Sequence, residues 1–264
     1  MESGTRFSVH RSQFRGALLR GDDKIAALMS GSAKKHAAGT TLVETDAERS
    51  FVYRMIRGWA SQTRRLADGR SQSILLFLPG DLFALKSMFL LRNAHTIEFL
   101  SDAVVERVDH QTLQRCYVQD HDVSDRCIWQ LLEDDRRLQN LVVGLGLGSA
   151  EERLALLLLG FHERLAHCGN IAPAALNYLM PLTQSQLGAH IGITPVHINR
   201  VLKSFREAGI LTISGGSVRI SDMCKLRGRA AALSDEGSPS GNFGATFPGS
   251  VDEQTSSQVF VNTG

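Results

Sequence analysis

Cysteine is scarce in this chain, four in 264 residues, and Cys116, Cys127, Cys168 and Cys224 stand far apart. None forms a C-x-x-C pair, so neither a zinc site nor a disulfide framework is expected, and the thiols read as those of a reducing compartment. No uncharged apolar run reaches the roughly 18 residues of a membrane span. The N-terminus lacks the apolar core of a signal peptide. No nucleophile elbow, P-loop, dinucleotide fingerprint or metal motif is present, which removes the usual sequence grounds for an enzyme. The expectation is a cytoplasmic, non-catalytic protein without metal or cofactor.

Net charge is also small, +2, but it is unevenly placed. From Met180 to Ala230 seven Lys and Arg residues stand against Glu207 and Asp222, whereas from Ser234 onward there are four acids and no base. The basic segment contains the most informative stretch of the chain, Thr183 to Ile220, "TQSQLGAHIGITPVHINRVLKSFREAGILTISGGSVRI". Thr183 and Gln186 have the spacing of a capping box, so a helix should start there. Leu187 and Ile191 give it a buried stripe, and Gly192 breaks it. Thr194 is a good N-cap, and Pro195 sits at the first helical position, where its missing N–H is harmless. Ile198, Val201, Leu202 and Phe205 recur at helical spacing, leaving Val196, His197, Asn199, Arg200, Lys203 and Arg206 for the other faces. Gly209 suits the helix end. "LTIS" and "SVRI" around Gly215-Gly216 read as a two-stranded wing. Two short helices, a tight turn and a wing make a winged helix-turn-helix, which places one helix in the major groove of double-stranded DNA. A cluster of Lys and Arg at the same place is what phosphate contacts require.

Upstream, Phe14, Leu18, Leu19, Ile25, Leu28 and Met29 form a weak amphipathic pattern, one or two short helices. From Thr40 to Val108 the segments "TTLVE", "FVYRMIRGWASQTRRL", "SQSILLFL", "HTIEFL" and "AVVERV" are short and β-branched or alternating, punctuated by Asp68-Gly69 and Pro79-Gly80. That predicts a small β-barrel or jelly roll. Gly58-Trp59 should sit at a strand, with Trp59 in the core. From Ser124 to Leu147 the apolar period becomes helical, and Ile128, Leu131, Asp135, Leu138, Val142 and Leu145 form a heptad seam suited to a homodimer. "EERLALLLLGFHERLAH" is a further helix; its His162 and His167 do not have metal-pair spacing. His36, His95, His110 and His121 read as surface or satisfied core residues. After Leu233 the Ser-, Gly-, Asn- and Thr-rich chain is expected to be disordered.

This order of parts resembles the cyclic-AMP receptor protein/Fnr (Crp/Fnr) superfamily of bacterial transcription regulators, over about Arg11 to Leu233. The most specific match is "LTQSQLGAHIGITPVHINRVLKSFREAGIL"; "LADGRSQSILLFLPGDLFAL" resembles the family's β-roll turn and effector cassette. The resemblance implies an α+β chain: an N-terminal helical segment (1–30), a cyclic-nucleotide-binding-like β-roll sensor (31–123), a dimerisation helix (124–149), a winged helix-turn-helix (150–233) and a tail (234–264). It implies that Thr194 holds a phosphate and Arg200 reads guanine, with Val196 where a glutamate is common. The DNA-facing set is then Thr183, Gln184, Ser185, Thr194, Val196, His197, Asn199, Arg200, Lys203 and Ser214. Gly80, Asp81, Arg92 and His95 are the candidate effector residues. Ala94 and His95 occupy the places of the Arg-Ser pair that holds a cyclic phosphate, so cyclic nucleotides are not expected as effectors. The absence of cysteine before Cys116 argues against the family's iron–sulfur cluster. RNA polymerase is an implied partner. The competing reading is a β-roll module that captures a small molecule or protein and retains only vestigial DNA binding.

Overall fold

The computed structural model describes residues 12–43, 50–91 and 95–234. A 3-10 turn, Ser12–Phe14, leads into α1 (Arg15–Met29). Eight strands follow: β1 (Lys34–His36), β2 (Thr41–Val43), β3 (Phe51–Arg57), β4 (Ala60–Arg65), β5 (Ser71–Phe77), β6 (Leu82–Phe83), β7 (Thr96–Phe99) and β8 (Ala103–Asp109). They form two antiparallel four-stranded sheets, in the orders β1-β8-β3-β6 and β2-β7-β4-β5. Alternation along β7 and β8 buries one face of each strand, as period-2 geometry requires.

The run "FVYRMIRGWASQTRRL" is two strands rather than one. Gly58 turns the chain at φ +92°, and a Cβ there would lie 2.5 Å from the Asp102 carbonyl oxygen, so only glycine fits. The roll's interior is filled by its own aromatic side chains: Phe83 stacks between Tyr53 at 5.4 Å and Phe77 at 4.7 Å, and Phe99 stacks on His36.

Two helices, α2 (His110–Gln119) and α3 (His121–Leu147), lead out of the roll. Asp120 caps α3 by accepting from Asp122 N and Val123 N, which starts the helix three residues before the expected Ser124. The outward stripe of α3 is also displaced from the expected seam. Leu131 and Leu138 pack against the chain's own sensor core, while Ile128, Leu132, Val142, Val143 and Leu145 are exposed. The helix has two apolar faces, and the sensor claims the one that carries Leu131 and Leu138.

A complete capping box, Ser149 with Glu152, starts α4 (Ala150–His167). Then come β9 (Asn177–Leu179), α5 (Gln184–Ile191), α6 (Pro195–Glu207), β10 (Leu211–Ser214), β11 (Ser217–Ile220) and α7 (Met223–Ala230). The wing is three-stranded, β10-β11-β9, because Asn177–Leu179 adds a strand that the sequence pattern did not announce. Trp59 is core, as expected, and packs edge-on to Phe161 of α4 at 4.8 Å. Leu76 and Leu78 join the same cluster, so sensor and helix-turn-helix share an apolar interface. His162 is buried and its Nε2 lies 2.7 Å from the Ala175 carbonyl oxygen, a structural role. The cysteines are free thiols, and burial pushes Cys127 up to about 12. No helix among the described residues is long and apolar enough to cross a membrane. The tail expected to be disordered lies, from residue 235 on, outside the described residues.

Candidate DNA-reading face

The helix-turn-helix is built from local chemistry. The Thr183 hydroxyl accepts from Gln186 N, and Gln186 Oε1 accepts from Thr183 N at 2.8 Å, closing the capping box. Gly192 ends α5 at φ +71°, with a Cβ there only 2.5 Å from Leu145 of α3. The turn is tight at Gly188 too, where a Cβ would meet the Ile193 carbonyl oxygen at 2.4 Å. Thr194 then caps α6 by accepting from His197 N, with Pro195 at the first position.

Helical periodicity divides α6 into two faces. Ile198, Val201 and Phe205 are buried and hold the helix on α4 and the wing. Val196, His197, Asn199, Arg200, Lys203 and Arg206 are all exposed, Val196 at 63%. Thr183, Gln184, Ser185, Thr194 and Ser214 are exposed as well, so the whole expected DNA-facing set lies on solvent-accessible surface. The scaffold behind is tied by Glu151 of α4, which accepts from Ser204 of α6 at 2.7 Å and pairs with Arg229 of α7 at 2.6 Å. The free face offers hydrogen-bond donors, one apolar tip and positive charge, all that base edges and phosphates ask of a helix.

The effector candidates are distributed differently. Gly80, at φ +94°, is covered by Cys168, the residue just past α4, whose sulfur would lie 2.4 Å from a Cβ there. Asp81 is buried. It accepts from Leu78 N at 2.7 Å, from Arg137 of α3 at 3.2 Å and from Arg164 of α4. Burial alone would raise its carboxyl, but the two guanidiniums hold it below the ordinary carboxylate range. His95 is half-buried just before β7 and does not line the cleft beside Asp81, and Arg92 lies outside the described residues. Arg137 and Arg164 are the residues that sequence reasoning missed. For Arg137 the one signal was a polar stripe on the inner face of α3, where Arg126, Gln130, Asp134 and Arg137 recur at helical spacing; Arg164, on α4, had none. A second polar contact ties sensor to helix-turn-helix: Gln72 of β5 donates to the carbonyls of Ala189 and His190, both at 2.9 Å, and Ser73 meets His190 Nδ1.

Comparison with known proteins agrees with this geometry. Residues 152–229 match the Crp-like helix-turn-helix domain, and residues 33–120 match the cyclic nucleotide-binding domain. The chain is 22% identical over 208 residues to the transcriptional activator protein FnrL of Cereibacter sphaeroides, covering 78% of this chain and 83% of that one. It is 27% identical over 183 residues to a CRP-like cAMP-activated global transcriptional regulator of Mycobacterium tuberculosis, covering 68% and 79%. FixK2 of Bradyrhizobium japonicum shares the fold, with a TM-score of 0.67 at 24% identity over 74% of this chain and 95% of that one. Sensor, long helix and DNA-reading face thus occur in the order and form of one group of regulators, and the chain belongs to the Crp/Fnr family of DNA-binding transcription regulators.

Proposed function

We propose that this protein acts in the cytoplasm, without catalytic activity, as a homodimer that binds an inverted-repeat operator and works with RNA polymerase. The observation that carries the reading is the division of α6 into a fully buried face and an exposed face holding Arg200, Asn199 and His197. Those three side chains supply the base readout, with Arg200 on guanine O6 and N7 and Val196 against a thymine methyl. Thr183, Gln184, Ser185, Thr194, Lys203 and Ser214 hold phosphates and fix the register. The exposed stripe of α3, Ile128, Leu132, Asp135, Gln139 and Val142, pairs two copies and sets the half-site spacing. Cyclic nucleotides are not its effectors, because the roll's interior is packed with aromatic rings and Asp81 is committed to Arg137 and Arg164.

Selection of the full chain on a random double-stranded DNA library tests this reading. The expected result is enrichment of a two-fold symmetric site with a guanine in each half. Retention of DNA without sequence enrichment, or of a single asymmetric half-site, would overturn it.

A further inference from the structure

The hairpin that joins β4 to β5 carries Arg64, Arg65 and Arg70 around one exposed turn. We infer that this hairpin is a second DNA contact, supplied by the sensor: Arg64 and Arg65 hold phosphates of the duplex beside the stretch that α6 reads. The inference rests on the DNA-binding reading and extends its surface. Charge is the first ground. Arg70 is already answered within the turn, where Asp68 pairs with it at 2.7 Å. Arg64 and Arg65 are exposed and have no carboxylate partner among the described residues. Adjacent cations that no acid answers are the electrostatic footprint of a phosphate contact. The turn carries no aromatic side chain on which a base could stack, so its ligand is the backbone of the duplex and not its bases.

Place is the second ground, and it separates this turn from an ordinary solvated one. In the register of β4 and β5, Arg64 stands opposite Gln72 and Arg65 opposite Ser71. Opposite residues of an antiparallel pair lie about 5 Å apart. Gln72 donates to the carbonyl oxygens of Ala189 and His190, at 2.9 Å each, in the last turn of α5. Arg64 thus starts one strand away from the C-terminal end of that helix. Gly192 and Ile193 follow, and Thr194 caps α6. The basic turn is therefore fixed to the end of the helix-turn-helix where α6 begins, the end whose first residues face base edges in a bound duplex. From Thr183 to Arg206 the chain has no acid, so nothing in that stretch competes with phosphate for the two guanidiniums.

Fluorescence anisotropy of the full chain across a salt series tests the contact. The probes are the duplex enriched by library selection, either trimmed to its symmetric core or extended by about two helical turns on each side, and an extended duplex of mixed sequence, which needs no enrichment. The double variant Arg64→Gln/Arg65→Gln should bind both extended duplexes roughly tenfold more weakly. Its slope of log K against log salt should be shallower by about two units, one for each guanidinium. Affinity for the trimmed core, the enriched sequence and the melting temperature should stay as in the parent. Arg64→Lys/Arg65→Lys keeps both charges and should restore the slope, because a phosphate accepts a point charge where a base edge demands the fork. A glutamine variant whose slope on extended duplex equals the parent's overturns the inference and leaves the DNA-binding reading intact. So does an equal loss on the trimmed core, or a changed base preference, either of which would place these side chains on the read sequence. A parent chain that retains neither extended duplex overturns both.

Discussion

Arginine occurs in two settings in this molecule, and the contrast separates reading from holding. On α6, Arg200, Lys203 and Arg206 extend into solvent from a helix whose other face is buried. At the junction of sensor, α3 and α4, the side chains of Arg126, Arg137 and Arg164 are only 2%, 15% and 17% exposed. An exposed cation keeps its hydration and can exchange it for a phosphate or a base edge. A buried cation must be paired within the fold, because its desolvation is otherwise uncompensated. Charge alone assigns both groups to nucleic acid; burial assigns only the first.

The largest expected effect comes from breaking the buried group. Asp81→Ala leaves Arg137 and Arg164 facing each other without their shared carboxylate. Removing one partner of a buried pair typically costs about 3–5 kcal/mol, and urea denaturation of the variant should show a loss in that range. Arg200→Ala, at the other end of the contrast, should leave the denaturation midpoint where it was. Equal midpoints for the two variants would erase the distinction.

The next effect tests the outward stripe of α3. Leu132 is 62% exposed in a single copy, so Leu132→Asp should leave the subunit folded. In a dimer the carboxylate is buried without a partner. Sedimentation should find monomer, and palindrome binding should be lost while the melting temperature of the sensor is retained. Leu138→Asp is a poorer probe, because Leu138 packs on the sensor core and its loss confounds folding with association. A dimeric Leu132→Asp protein would mean that another surface joins the copies.

Those two helices also show what the sequence carried and what it did not. Along α5 and α6 each boundary has a local cause, Thr183 with Gln186, Gly192, Thr194 with Pro195, and the observed elements start and stop at those residues. The wing turn at Gly215-Gly216 and the strands of the roll are likewise written in short-range pattern. On α3 the period was legible but the choice of face was not, since Leu131 and Leu132 are equally apolar and only the roll's position turns one inward. The junction cluster was least legible. Asp81 meets Arg137 across 56 residues and Arg164 across 83, and no local pattern announces a contact of that separation. Gly80-Asp81 was noticed for its resemblance to an effector element, whereas its packing against α4 is a tertiary fact.

A pH effect of intermediate size is expected where β5 meets α5. Burial pushes the His190 imidazole down to about 4, with a hydrogen bond from the ring to the Ser73 backbone opposing and the charge of Arg164 adding to the shift. The ring is therefore neutral in the folded protein. Its folded value lies below the unfolded value near 6.5, so its stabilisation is complete above that pH and is lost as pH falls toward 4. Between pH 7 and pH 5 the loss should be about 2 kcal/mol. Amide exchange of α5 should quicken over that interval, and His190→Asn, which cannot titrate there, should flatten the dependence. An unchanged slope in the variant would show that another group titrates.

The smallest effects lie on the reading face and divide its two kinds of contact. Arg200→Ala should weaken operator binding by about 1–3 kcal/mol and relax the preference at one guanine in each half-site. Lys203 is different. Its side chain is 65% exposed and its ammonium stands 3.7 Å from Glu207, whose side chain is 63% exposed, a pair that solvent screens almost completely. It is thus free to leave Glu207 for a phosphate. A phosphate contact releases counterion and reads no base, so Lys203→Ala should weaken binding to operator and to unrelated duplex alike. The slope of log K against log salt should become shallower by about one unit. Glu207→Gln removes the competing carboxylate and should move affinity the other way, slightly and without regard to sequence. A Lys203→Ala loss confined to a single base position, with the salt slope intact, would mean that this side chain reads sequence and that the boundary between reading and holding runs elsewhere on α6.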